Sequence, residues 1–329
     1  MNTEYDVTAI GNALVDVIAA ADDAFLTRHD MAKGAMTLID EPRAHSLYGA
    51  MTPDLETSGG SAGNTIAGVA SFGGRAAFIG KVAADPLGEV FARDLRALGA
   101  AFTTSRLTKG PATGRCLISV TPDGERTMST YLGAGVELTA ADVSPALVES
   151  SRILYLEGYL FDPHEARRAF AKAAGLARAA GRSIALTLSD GFVVERHRGA
   201  LLGFIDTQVD IVFANETEIC ALFETDDFDA ATAAIAGRCA VAAVTRGEKG
   251  SIILADGQRH VIPANPVERL VDTTGAGDQY AAGFLYGFAK GRPLEICGRL
   301  ASLAAVEVIG HYGPRPAVSL RNLAAANGL

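Results

Sequence analysis

Asp272-Thr-Thr-Gly275-Ala276-Gly277-Asp278, running directly into the apolar stretch 281–289, decides how the rest of the chain is read. Two glycines without Cβ let the backbone approach a ligand closely. The helix that follows leaves unpaired N–H groups at the positive end of its dipole, which suits an anion. An aspartate at the rim of such a nest would repel a phosphate that was merely held there. It makes sense if Asp278 takes a proton from an incoming hydroxyl while the Gly275, Ala276 and Gly277 amides carry the charge of a transferring phosphoryl group. The same letters also fit a plain turn in which Asp278 caps a helix.

Outward from that segment, apolar runs of strand length alternate with helical patterns, and an α/β fold with a mainly parallel sheet is expected. Strands are expected at 5–10, 76–80, 183–188, 210–214 and 241–245. Helices are expected at 61–72, 164–180, 194–204, 216–223, 277–289 and 294–309. Two regions break the rhythm: 35–39 and 114–132 read as strands, the second carrying the hairpin turn Thr121-Pro-Asp-Gly124. They fit either a small sheet covering one side of the main domain or edge strands of the main sheet. The lid reading takes discontinuous segments of approximately 12–58 and 101–135 within one domain spanning 1–329.

The chain has 329 residues, 49% of them hydrophobic, enough to bury a large core. Its net charge of −9 argues against broad nucleic-acid binding, which needs a basic surface. Nucleotides are not excluded, because backbone amides, an arginine or Mg²⁺ can meet their charge locally. Cys116, Cys220, Cys239 and Cys297 are widely spaced and read as reduced thiols rather than a zinc site. With no leader-like start and no run of apolar residues long enough to span a bilayer, a cytoplasmic protein without membrane contact is expected. The sequence leaves monomer and homodimer both open.

Gly11-Asn12-Ala-Leu-Val-Asp16 follows the first strand, and Asp16 sits among apolar neighbours where an ionised carboxylate is costly unless hydrogen-bonded. A sugar diol offers two such donors; a structural ion pair is the plainer alternative. Gly59-Gly60-Ser-Ala-Gly63-Asn64 combines glycines, which clear space for a flat or ring-shaped ligand, with an amide able to bond hydroxyls. No Gly-x-x-x-x-Gly-Lys-Ser/Thr phosphate loop occurs, and Gly275-Ala-Gly277-Asp-Gln-Tyr280 lacks the third glycine of a dinucleotide fingerprint.

The 272–278 segment, continuing through Ala282-Gly283-Phe284-Leu285, resembles the second signature of the ribokinase-like (PfkB) carbohydrate and nucleoside kinases. The 59–64 segment, continuing through Gly73-Gly74 to Gly80, resembles the first. The resemblance implies a ribokinase-like three-layer α/β/α domain with a small β-sheet lid, using ATP and Mg²⁺. It implies Asp278 as catalytic base, and Asn12, Asp16, Gly59, Gly60 and Asn64 around the substrate. Asn215-Glu-Thr-Glu218 is similar to the motif that acts on Mg²⁺ through water, although an Asn cap with Glu three residues on reads equally as a capping box. Thr245-Arg-Gly247-Glu-Lys-Gly250 resembles the nucleotide segment, and as a bare pattern it is a hairpin turn. Activation by a monovalent cation such as K⁺ would involve Asp272 and Thr274. Segments 11–16, 156–161, 186–192 and 209–218 look more like the adenosine kinase branch than like ribokinase or fructokinase. That likeness points to Tyr159, Leu160, Tyr131 or Leu132 as residues sandwiching a purine, with Arg126 reaching the phosphates. A sugar kinase acting on ribose, fructose or 2-keto-3-deoxygluconate is the alternative, and an idle sugar or nucleotide sensor is a second one.

Overall fold

Period-two alternation builds the middle layer of the fold. Along Ser151–Glu157, Ile153 and Tyr155 join one apolar cluster while Leu154 and Leu156 join another; along Ile211–Asn215, Ile211 and Phe213 divide in the same way from Val212 and Ala214. Strands buried on both faces need helices on both sides. The computed structural model describes residues 3–329 and shows that arrangement.

Among the described residues, nine strands form the larger sheet. Their order is Gln258–Ile262, Ser251–Ala255, Val241–Thr245, Ile211–Asn215, Ser183–Thr187, Ser151–Glu157, Tyr5–Ile10, Ala76–Ile79 and Ala101–Phe102. All neighbours are parallel except the last two strands at one edge, where Val241–Thr245, Ser251–Ala255 and Gln258–Ile262 pair antiparallel. One face packs on helices Ser61–Ser71, Pro86–Ala97, Ala276–Ala289 and Leu294–Ile309, through residues such as Ile66, Phe91, Phe284 and Ala301. The other packs on His164–Ala179, Gly191–Gln208, Glu216–Leu222 and Phe228–Ile235, through Phe170, Leu201, Ile219 and Ile235. The expected three-layer α/β/α architecture is present.

A second sheet of five strands runs Met36–Leu38, Arg126–Tyr131, Gly114–Val120, Leu14–Ala20 and Leu55–Gly59. The hairpin turn forms as expected, with the Gly124 N–H donating to Thr121 O at 2.8 Å and Gly124 at φ 85°. Asp16 lies within the strand Leu14–Ala20 of this sheet. Ala101–Phe102 pairs with Ala76–Ile79 of the larger sheet, so the later segment contributes to the small sheet only from Gly114 onward. The stretch after Glu157 is a short 3-10 turn, Gly158–Phe161. No helix among the described residues is long and apolar enough to cross a membrane.

Helices Ala276–Ala289 and Leu294–Ile309 cross closely because Gly283 has no side chain: a Cβ there would lie 2.5 Å from Leu300 O and 2.7 Å from Ala301 N. Backbone cannot yield as a flexible side chain can. Gly283→Ala is expected to cost about 1–3 kcal/mol, read as a lower urea midpoint at unchanged m-value.

Candidate active site

The N-termini of two helices meet at Asp278. Its Oδ1 accepts from Ser61 Oγ at 2.6 Å and its Oδ2 from Asn64 Nδ2 at 3.1 Å, joining the first turn of Ser61–Ser71 to that of Ala276–Ala289. Burial pushes the Asp278 carboxyl up to about 6, against the pull of those two donors. A carboxyl so poised is half-ionised near pH 6 and mostly in its basic form at neutral pH, and it is still partly exposed.

Beside it the backbone is shaped for an anion. Gly275 adopts φ +80°, and a Cβ there would lie 2.6 Å from the Pro314 backbone, so only glycine fits. The Ala276 N–H turns back to Thr273 O at 3.2 Å, which removes it from the expected set of three amides. Among the described residues the N–H groups of Gly275, Gly277 and Asp278 have no acceptor, so the nest is centred one residue later. A Cβ on Gly277 would meet nothing within 4 Å, so that position faces open space. This space is continuous with a cavity of about 680 Å³ lined by Gly277, Thr273, Thr245, Gly247, Gly250 and Ser251, with Val306 and Ile309 as apolar walls. Thr245, Gly247 and Gly250 do sit on a hairpin between antiparallel strands, as their bare pattern suggests, and that hairpin forms one side of the cavity.

Near Asp278 stands Asp16, close enough for their charges to interact. Burial raises its carboxyl to about 6, opposed by the charges of Arg315 and Arg126 and reinforced by Asp278. Gly59 makes room for it, since a Cβ there would lie 2.4 Å from the Asp16 carboxyl; Gly60, at φ +81°, must also lack a side chain, since a Cβ there would lie 2.3 Å from Asn12 O. Asn12 is braced by an acid absent from the sequence expectations. Glu157 accepts from Asn12 Nδ2 at 2.9 Å and from the Ala62 N–H at 2.9 Å, capping the helix Ser61–Ser71 with negative charge. Burial lifts the Glu157 carboxyl to about 7. Asn12 Oδ1 is buried and unpartnered among the described residues, leaving an acceptor for a ligand hydroxyl.

The pleat of the small sheet separates its candidates. Asp16 pairs with Cys116 and Cys116 with Thr130, which sets these three on one face. Tyr131 is one residue on and points to the opposite face, where the Arg115 guanidinium lies 6.0 Å from its ring centroid and Arg115 also covers Tyr48 of helix Glu41–Ala50. The expectation that Tyr131 touches substrate is therefore wrong. Leu160 is wrong for a related reason, being fully buried in the core beneath the sheet. Tyr159 stays near the cleft, its hydroxyl pushed up by burial and by the charges of Asp190, Glu157, Asp278 and Glu218.

Asn215 and Glu218 form the capping box that their spacing allowed. The Asn215 N–H and Nδ2 donate to Glu218 at 3.1 and 2.7 Å, and Asn215 Oδ1 accepts from the Glu218 N–H at 2.8 Å. Burial raises the Glu218 carboxyl to about 7. Asp272 is also heavily engaged: Oδ1 accepts from the Thr274 N–H and Oγ1 at 3.0 and 2.7 Å, and Oδ2 accepts from the Gly313 N–H at 3.1 Å. Arg126 Nη1 lies 2.9 Å from the same Oδ2 in a buried ion pair. Asp272 thus has little capacity left for a monovalent cation, and Arg126 meets a carboxylate where phosphates were expected.

Residues 54–320 match the family model described as pfkB family carbohydrate kinase. The chain belongs to that family. It is a phosphotransferase with an alcohol group as acceptor. The crystal structure of adenosine kinase from Sinorhizobium meliloti is 53% identical, covers 99% of this chain and 100% of its own, and superposes with a TM-score of 0.91. A probable sugar kinase from Rhizobium etli is 49% identical over 99% of both chains, TM-score 0.92. Adenosine kinase 2 of Arabidopsis thaliana is 27% identical over 95% of this chain and 96% of its own.

Within this pfkB kinase, sequence reasoning missed Ser61, Glu157 and Arg315. Ser61 lay inside the quoted glycine motif, and Glu157 ended an apolar run as its one charge. Arg315, whose Nε donates to Asn64 Oδ1 at 3.4 Å, carries no local signal.

Because Gly277 faces open space in helical backbone, Gly277→Ala is expected to leave thermal stability equal or slightly raised. A methyl group in the nest should nonetheless lower kcat roughly 10²-fold. Paired melting curves and steady-state rates check both halves.

Proposed function

We propose that this kinase transfers the γ-phosphoryl group of ATP to the 5′-hydroxyl of a ribonucleoside, with adenosine as the leading acceptor. The observation that carries the reading is the position of Asp278, next in the chain to Gly277 of the cavity wall and near enough to Asp16 for the two charges to interact. The triphosphate lies along Thr245, Gly247, Gly250 and the free amides. The ribose hydroxyls donate to Asp16, with Asn64 and Asn12 beside them. Asp278 accepts the proton of the 5′-hydroxyl as its oxygen bonds to the γ-phosphorus. The bond from that phosphorus to the bridging oxygen breaks, and ADP leaves.

Mg²⁺ bound with the nucleotide supplies neutralisation of phosphate charge. Among the described residues no group of three or more His, Cys, Asp or Glu is placed to hold a metal. Phosphate oxygens and water would therefore fill most of its coordination shell, with Asn215 and Glu218 acting through water.

A nucleoside is favoured over a bare sugar by the face that carries Asp16. The adjacent row across the small sheet is apolar throughout: Leu55, Ile18, Ile118, Met128 and Met36, with Leu55 and Met36 about half exposed. A free pentose has no use for such a surface, whereas a nucleobase attached to one gains by covering it. The small sheet serves as the lid over the acceptor. The likeness to the Sinorhizobium adenosine kinase supports the same acceptor, and that to the Rhizobium probable sugar kinase keeps a sugar as the competing outcome.

ATP consumption measured with adenosine, other nucleosides, ribose, fructose and 2-keto-3-deoxygluconate decides the acceptor. AMP formation from adenosine is expected, and turnover of a sugar with every nucleoside inert would overturn the reading. Asp278→Asn is expected to lower kcat roughly 10²–10⁴-fold with substrate KM largely kept. Since Asp278 works as its anion and sits near 6, kcat/KM should rise with pH through about 6 and level off above it. Asp16 titrates in the same range and is coupled to Asp278, so the limb belongs to the pair.

A further inference from the structure

Arg315 occupies a position that neither the motifs nor the proposed reaction assigns. It follows Pro314, whose backbone packs on Gly275 and whose carbonyl accepts from Gln279 Nε2 at 2.9 Å. The same Nε2 donates to Asn64 O at 3.0 Å, so one glutamine ties the Arg315 segment to both helices of the site. From there Arg315 Nε donates to Asn64 Oδ1 at 3.4 Å, and Asn64 Nδ2 donates to Asp278 Oδ2 at 3.1 Å.

That sequence of donors has a direction. An amide side chain can be turned either way, and turned the wrong way Asn64 would set its oxygen against the Asp278 carboxylate. A guanidinium has only donors, so it can be satisfied only by the amide oxygen, which leaves Nδ2 for Asp278. The second amine, Nη2, is closed off from solvent and has no acceptor among the described residues. A guanidinium serving structure alone would be expected to satisfy that donor.

The charge has its own use. The groups acting on Asp16 are Arg315 and Arg126 on the positive side and Asp278 on the negative, with the Cys116 thiol next to it on the same face; Arg315 also feels Asp94. Arg126 is held by Asp272 through its own buried pair, which leaves Arg315 as the stronger influence on Asp16.

Resting on the reading of Asp16 as the diol acceptor, we propose that Arg315 is a positioning residue for phosphoryl transfer. It orients the Asn64 amide toward Asp278 and acts as counter-charge to Asp16 so that the acceptor's hydroxyls are gripped.

Arg315→Gln and Arg315→Lys, made in the full chain and checked by thermal melts, test this. Gln removes the charge, which makes Asp16 harder to ionise. KM for the acceptor should rise at least about 10-fold, and the acid limb of kcat/KM should move to higher pH by about half a unit or more. Lys keeps the charge and should hold the limb at its wild-type position. KM for ATP should stay unchanged in both. A lower melting temperature accompanied by wild-type KM and limb in both variants would make Arg315 purely structural and overturn the proposal, as would equal limbs for Gln and Lys. If the wild-type protein phosphorylates a sugar and no nucleoside, the acceptor reading fails, while the same comparison made with that sugar still decides the role of Arg315.

Discussion

The close docking of two helix N-termini is the constraint on which the site depends. Ser61–Ser71 and Ala276–Ala289 approach until a Cβ on Gly68 would lie 2.2 Å from Gln279 Oε1 and 2.6 Å from the Ala282 methyl. Only that approach brings Ser61 and Asn64 into bonding range of Asp278, across more than 200 residues of sequence. Both helix dipoles then point into one small volume. The site holds its carboxylates there with glycine-lined space, free amides and few cations.

Electrostatics set the chemistry in that volume. Burial drives Asp16, Asp278 and Glu157 upward together, and the structure answers each differently. Glu157 is spent on backbone and on Asn12, which makes it a brace. Asp278 keeps two side-chain donors and an open side. Asp16 has no hydrogen-bond partner from the protein among the described residues and feels the charges of nearby arginines, which leaves its oxygens able to accept. Three similar side chains thus acquire separate tasks from what surrounds them.

Much of the architecture was legible before any coordinates. Strand Val241–Thr245 and helix Leu294–Ile309 fell where apolar run length and helical periodicity set them, and Thr121-Pro-Asp-Gly124 made its turn, because these depend on neighbours in sequence. The nest was legible for the same reason: a left-handed glycine and a helix start are local matters. Its register was not, since the Ala276 amide is drawn off by Thr273 through a turn whose geometry depends on Pro314 packing behind Gly275. Tyr131 and Leu160 were misread because period-two facing and core depth follow from which strand or layer lies alongside, which no short window contains.

By itself, then, the sequence determined the layered α/β scheme, the glycine-rich nest with its carboxylate, and the acidic, phosphate-handling character of the chain, all properties of residue type and short-range spacing. The tertiary structure alone decided which side of the small sheet meets the cleft. It also recruited Glu157 and Arg315, and committed Asp272 to Thr274, Gly313 and Arg126. The reason is physical: a buried charge takes its role from the partners that packing delivers, and those come from distant parts of the chain.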